Sequence, residues 1–323
     1  MNVCVVGHGM MGEWHSNALA ESDGARRLLV GRREEPTREF ARAHGFANWT
    51  TSLAEALEDA SIDIVIFATP SETHAESALL ALRHGKHVLV EIPLAMSLVD
   101  AEAVVEEAAA SGLTLGVVHP LRARLELEEL AARVVAGTEH VRQVAGRLFM
   151  HRLENVGATG YRRSWTDNLL WHHMAHVVDA GIWLSGAPVA QVRSVMSPID
   201  SATGIPMDAA VLIETELGQP LLSSGSYYGR ERIFDLHVVT DRDSYRLDIF
   251  GSTLTTSGGP SPIAPEQQNC WRLTRDFVAA VAEGREPLVP GAAVLPAMRA
   301  LEVAQLDWDR IHGRQALPGR PIA

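Results

Sequence analysis

The stretch VCVVGHGMMG, residues 3–12, leaves the chain few ways to begin folding. An apolar, β-branched run stops at Gly7, and Gly9 and Gly12 complete a G-x-G-x-x-G spacing at the head of the helical segment MMGEWHSNALA. Strand, glycine turn and helix in that order make a cradle for a dinucleotide. Gly7 forms the tight turn, Gly9 lets the backbone approach a pyrophosphate, and Gly12 permits close packing of helix on strand. Backbone N–H groups of the first helical turn, around Met10 and Met11, would face the anion.

Downstream, the strand candidates NVCVV, RRLLV, DIVIFA, HVLV and LTLGVV alternate with helical segments as far as His119, which predicts a Rossmann-type parallel sheet in an α/β domain. Ser52 and Glu55 have capping-box spacing for one of those helices. Past about residue 138, VRQVAGRLFM, AQVRSVMSP, AAVLIETEL, LLSSGSYY, FDLHVVT and SYRLDIF follow one another across turns, as in an α+β domain with an open antiparallel sheet. A long helix from Asp167, its expected cap, to Ser185 interrupts them; two more, near 267–283 and 295–312, close the chain, and GGPSPIAPE reads as a loop. The expected division is a cofactor domain over 1–119 and a substrate and oligomerisation domain over 120–323, with room for the C-terminal helix to pack back on the first domain.

A formal net charge of -12 over 323 residues repels nucleic acid and anionic membranes, so an anionic ligand has to be captured by local arginines. Of 28 basic residues Lys86 is the only lysine, leaving 28 − 1 = 27 arginines and little scope for amine catalysis. Cys4 and Cys270 form no disulfide framework, and no run approaches about 18 apolar residues, so the expected compartment is the cytoplasm. About 20 positions past the cradle, enzymes that use NAD place an acid on the ribose hydroxyls. Gly31, Arg32 and Arg33 stand there instead, and guanidinium forks suit a phosphate. The expected cofactor is therefore NADP, with NAD as the alternative.

FATPSETHAESALLALRHGKHVLVEIPLA, residues 67–95, together with the cradle, resembles the glucose–fructose oxidoreductase and inositol dehydrogenase (Gfo/Idh/MocA) family over nearly the whole chain. The resemblance implies a dehydrogenase in which Thr69, Pro70 and His74 border the middle of the cofactor and Glu91 and Pro93 border the nicotinamide. The family's Glu-Lys-Pro signature reads Glu91-Ile92-Pro93 here, and the aspartate four residues before the catalytic histidine is replaced by His172 before His176; Asp179 and Trp183 keep the pattern. RSWTDNLLWHHMAHVVD, residues 163–179, with VEIPLA resembles a narrower branch of that family. It implies oxidation of the cyclic hemiacetal of 4-carboxy-2-hydroxymuconate-6-semialdehyde to 2-pyrone-4,6-dicarboxylate, in protocatechuate 4,5-cleavage, with NADP. A sugar or cyclitol dehydrogenase and a non-catalytic NADP-binding regulator stay open.

Oxidising a hemiacetal removes a hydride from carbon and a proton from the hydroxyl, a task for a neutral imidazole. His176 is the first candidate base and His172 its partner; of the three, His173 is the one most readily given a structural role. No HExxH pattern or cysteine cluster accompanies them, so no metal is expected. Arg122, Arg163 and Trp165 are the candidate contacts for a dicarboxylate substrate, with Arg162 beside them, although surface roles suit arginines equally. His119 is read as either a cleft residue or part of a linker. An apolar face of the open sheet points to a homodimer or homotetramer.

Overall fold

The computed structural model describes residues 1–22, 24–157, 160, 162–165 and 168–312. The expected cap Asp167 lies outside the described residues. The first part consists of β1 (Asn2–Val6), α1 (Met10–Ala20), β2 (Ala25–Val30), α2 (Glu34–Ala43), β3 (Asn48–Thr50), α3 (Leu53–Glu58), β4 (Ile64–Phe67), α4 (His74–Arg83), β5 (His87–Glu91), α5 (Leu98–Ser111) and β6 (Leu115–Val118). Its strands form a parallel sheet of order β3-β2-β1-β4-β5-β6. Helices cover both faces, so the central strands read as unbroken apolar runs, and every residue of β4 is fully buried. Strand order reverses between β1 and β4, opening a crevice at their carboxyl ends.

Three-residue β3 was not among the expected strands, because so short a segment shows no period. Only half of the capping box forms: Ser52 Oγ accepts the Glu55 N–H at 3.2 Å, but the Glu55 carboxylate accepts instead from the Thr50 hydroxyl at 2.7 Å.

A short 3-10 turn, Pro120–Ala123, and α6 (Leu125–Val135), which the strand-led reading passed over, lead into the second part. There β7 (Val141–His151), α7 (Met174–Ser185), β8 (Val189–Met196), β9 (Asp208–Thr215), β10 (Pro220–Ser226), β11 (Tyr228–Thr240), β12 (Ser244–Asp248), β13 (Thr253–Thr256) and β14 (Gly259–Pro262) build an eight-stranded sheet with one helix. Its order is β14-β13-β12-β11-β7-β10-β9-β8, antiparallel except for the parallel pair β10 and β7. Part of the expected loop GGPSPIAPE is thus the edge strand β14, a place where prolines cost no ladder hydrogen bond.

The histidine helix also begins later than expected. Residues 169–173 form turns, and α7 starts at Met174. The Asn168 side chain accepts the Trp171 N–H at 3.1 Å, competing with helical bonding, and the Met174 N–H reaches back five residues to the Leu169 carbonyl at 3.0 Å. α7 then lies on the sheet so closely that a Cβ at Gly146 would come within 2.6 Å of Val177. Finally, α8 (Glu266–Glu283) packs on α1, β5 and β6 of the first part, while α9 (Leu295–His312) packs on β8, α7 and α5 and so bridges the two parts.

The three cradle glycines are under different constraints. A Cβ on Gly12 would stand 2.2 Å from the Gly7 carbonyl oxygen, whereas one on Gly9 would meet nothing within 4 Å. Gly12→Ala should therefore cost roughly 1–3 kcal/mol of stability, and Gly9→Ala no more than about 0.5 kcal/mol. Equal shifts in thermal unfolding would contradict this account of the turn.

Candidate active site

Gly7, at φ +101°, turns the chain from β1 toward α1. The N-cap of α1, Gly9, provides no side chain to satisfy the helix terminus, and the space where its Cβ would project is open. An open helix N-terminus over a glycine turn fits the pyrophosphate of a dinucleotide. Exposed Arg32 and Arg33 follow Gly31 at the end of β2, beside this cradle.

The ends of β4 and β5 are tied together by His74, which is buried with its two ring nitrogens 2.7 Å from the Pro93 carbonyl oxygen and 2.9 Å from that of Thr69. His74 thereby fixes the backbone of both loops, and the Ile92–Pro93 peptide between them is cis. Glu91 pairs with His15 Nε2 at 2.9 Å, and His15 Nδ1 lies 2.8 Å from Thr274 Oγ1. A carboxylate only accepts, so Nε2 carries the His15 proton; Thr274, whose hydroxyl also lies 3.0 Å from the Cys270 carbonyl, completes a link joining α1, β5 and α8. Ile92, where the family has lysine, is a buried core residue. Lys86 is no substitute, since it donates to the carbonyls of Asp59 and Ile62 at the other end of the strand.

Facing these loops stand His119, His172, His173 and His176. The rings of His172 and His173 meet edge to face at 4.3 Å, and those of His119 and His176 at 6.4 Å. Tyr227 Oη is 2.7 Å and Arg152 Nη1 3.2 Å from His173 Nδ1. Guanidinium can only donate, so Nδ1 is an acceptor and His173 carries its proton on Nε2. Burial, then the fields of His172 and Arg152, pushes His173 well below the usual imidazole range; burial, Arg152 and Arg163 do the same to His172. Burial first, and then His119 and His172, lowers His176 to about 3. His176 Nδ1 is buried without a hydrogen-bond partner among the described residues, so the ring's remaining exposure lies elsewhere on it. The three histidines of α7 and its leading turn are therefore neutral bases or acceptors. Among the described residues no group of three or more His, Cys, Asp or Glu is placed to hold a metal ion.

Arg122, a candidate substrate contact, has much of its guanidinium engaged within the protein. Its Nε and Nη2 donate to the two oxygens of Asp179 at 2.8 and 2.7 Å, and Nη2 also donates to the Ala293 carbonyl at 2.9 Å. His119 Nδ1 is 3.1 Å from the same carboxylate, and the opposing charges hold Asp179 well below the usual carboxylate range despite complete burial. Arg163 does lie at the cluster, its guanidinium against Gly157 and its field on His172 and His173. Trp165 is half-buried, 5.8 Å from Tyr227, with Arg152 over its ring at 5.7 Å. Arg162 points outward toward Glu154 at 3.6 Å. Arg152, directly after β7, and Tyr227, in the β10–β11 turn, also stand in this cluster, and no local motif marks either of them.

A glycine cradle at the switch point of a parallel sheet, facing a helix of titratable residues laid on an open sheet, defines an oxidoreductase that binds a nicotinamide dinucleotide. Residues 1–119 match the GFO_IDH_MocA oxidoreductase family, NAD-binding Rossmann fold, and residues 128–239 match the bacterial oxidoreductase C-terminal family. The chain is 33% identical over 315 residues, 96% of its length and 99% of the relative's, to 4-carboxy-2-hydroxymuconate-6-semialdehyde dehydrogenase of Sphingobium sp. (strain NBRC 103272 / SYK-6). It is 35% identical to scyllo-inositol 2-dehydrogenase (NAD(+)) of Bacillus subtilis (strain 168) over 114 residues, 34% of this chain and 32% of that one. Among solved structures, UDP-N-acetylglucosamine 3-dehydrogenase from Acidithiobacillus ferrooxidans shares its fold at TM-score 0.82 and 21% identity, covering 96% of this chain and 98% of that one. The chain belongs to the Gfo/Idh/MocA family of dehydrogenases.

Asp179→Asn would leave Arg122 buried without a charge partner and should cost about 3–5 kcal/mol in urea unfolding; a loss below about 1 kcal/mol would mean that the pair is not a structural tie. The half-buried histidines give a second test. Their folded pKa values are lowered, so the unfolded chain takes up protons first, and stability is full above about pH 6.5 and erodes as pH falls. Between pH 7 and 5 the slope should approach about 1.4 kcal/mol per pH unit for each such histidine; a constant urea midpoint over that range would contradict their burial as neutral rings.

Proposed function

We propose that the protein is an NADP-dependent dehydrogenase that oxidises a cyclic hemiacetal bearing carboxylates, the hemiacetal of 4-carboxy-2-hydroxymuconate-6-semialdehyde, to the lactone 2-pyrone-4,6-dicarboxylate. The observation that carries this reading is a cluster of neutral imidazoles, flanked by Arg152 and Arg163, where the wider family's lysine and aspartate are replaced by Ile92 and His172. End-to-end similarity to the semialdehyde dehydrogenase supports the same substrate class. Arginines at positions 32 and 33 support NADP over NAD.

A hemiacetal already presents the hydroxyl and the hydrogen that must leave, so the protein's work is to position it and take up one proton. NADP, when bound, supplies the hydride acceptor. The turn at Gly7, Gly9 and Gly12 and the N–H groups near Met10 and Met11 would hold its pyrophosphate; Arg32 and Arg33 would hold its 2′-phosphate. Arg163 and Arg152 would orient the substrate carboxylates against the field of an acidic chain. Neutral His176 accepts the hydroxyl proton, and His172 shares the hydrogen bond to that oxygen. Arg122, Asp179 and His119 hold α7 in place behind them.

Steady-state assay with enzymatically generated semialdehyde and each nicotinamide coenzyme tests this reading, with cyclitols and sugars as the competing substrates. His176→Asn should lower kcat by about 10²–10⁴; normal turnover would remove it as the base. On the acid side, kcat/KM should show no break at the ordinary imidazole value of about 6.5, because His176 in the free protein titrates only near 3.

Self-association is the expected assembly. Leu212 and Leu222 are register partners on the open sheet, 49% and 41% exposed, and Val195 beyond them is 74% exposed. A face of this kind supports a homodimer or homotetramer. Leu212→Glu should shift sedimentation toward monomer, and an unchanged profile would place any interface elsewhere. Among the described residues no helix is long and apolar enough to cross a membrane.

A further inference from the structure

The residue between the first two cradle glycines, His8, has no role in the reading above. Its ring reaches across to the end of β2, where it lies 5.7 Å from the Phe40 ring and Nε2 stands 3.3 Å from Thr37 Oγ1. The Thr37 hydroxyl already donates to the Arg33 carbonyl at 2.6 Å, so Nε2 provides the hydrogen in this long contact. A donor held so loosely is available to a stronger acceptor. Arg32 and Arg33 are close enough for their charges, after burial, to oppose protonation of His8, so all three basic side chains share one region at the end of β2.

The same residues close off Gly31. A Cβ there would fall 2.0 Å from Thr37 Oγ1 and 2.7 and 2.8 Å from His8 Cδ2 and Nε2. Thr37 is fully buried and its hydroxyl is committed, so it has no room to yield. An aspartate or glutamate at position 31, the usual reader of an unphosphorylated ribose, would be excluded by packing before its charge mattered.

We infer that His8 is a ligand of the adenosine 2′-phosphate beside Arg32 and Arg33, and that His8 and Thr37 together bar a ribose-binding acid from position 31. The inference rests on the assignment of NADP and adds a specificity residue from the cradle itself. Binding is read by titration calorimetry with 2′,5′-ADP and 5′-AMP, which needs no turnover. Wild-type protein should bind 2′,5′-ADP more tightly than 5′-AMP. His8→Phe, which keeps a ring against Phe40 and removes the donor, should lose roughly tenfold in affinity for 2′,5′-ADP, the size of one charge-assisted hydrogen bond, with a smaller loss for 5′-AMP. Equal affinity of His8→Phe and wild type for 2′,5′-ADP would overturn the role of His8 and leave the NADP assignment standing. Wild-type protein that fails to distinguish the two nucleotides would instead overturn that assignment and this inference with it. Gly31→Asp should lower the melting temperature in the wild-type background and less so in His8→Ala/Thr37→Ala, where it should improve 5′-AMP binding. An equal penalty in both backgrounds would overturn the closure of position 31.

Discussion

The buried ion pair of Arg122 with Asp179 is the contact on which the rest of the site depends. Arg122 follows the last strand of the cofactor sheet, and Asp179 lies on the helix that carries the histidines. Joining them two-pronged, with His119 and the Ala293 carbonyl completing their hydrogen bonds, sets α7 against the carboxyl end of β6. Removing two charges from water is costly, and the cost is offset only where geometry is good and remaining donors and acceptors are satisfied. Here the bidentate fork and the additional partners meet both conditions. Asp179 is thus a structural tie between the end of β6 and α7, with the imidazoles of His172, His173 and His176 ahead of it along the chain.

Electrostatics then follow a local logic that differs from the whole. The chain is acidic, yet Arg152 and Arg163 concentrate positive charge near His172 and His173, and burial with mutual repulsion keeps the rings neutral. Neutral rings can accept or donate hydrogen bonds without placing another charge among these groups. A lysine at position 92 would add an ammonium to this region; isoleucine there extends the core instead. Ile92 therefore leaves no amine on that loop, and its side chain is held in the core.

Much of the fold was legible because its signals are local. Alternating apolar runs and helical segments fixed the six-strand parallel sheet apart from β3, and the end of the chain was read as α9 with the observed limits, Leu295–His312. Misreadings arose where a side chain or a sheet edge overrode local pattern: Asn168 delayed α7, and edge position made a strand of Gly259–Pro262. At the site, His172, His173, His176, Arg163 and Trp165 were identified and do come together. The pairing of Arg122 with a carboxylate 57 residues away is invisible in the sequence around it, and so are the places of Arg152 and Tyr227 beside His173.

By itself, then, the sequence determined the glycine turn, the order of strands and helices, the shortage of amines and the grouping of histidines. Each follows from steric limits, residue period or composition, which are properties of near neighbours along a chain. Tertiary structure alone decided which arginine is spent on Asp179, which nitrogen of His173 bears the proton, and why position 31 must be glycine. Those outcomes turn on distances between residues remote in sequence, and hydrogen bonds, burial and excluded volume act through distance in space.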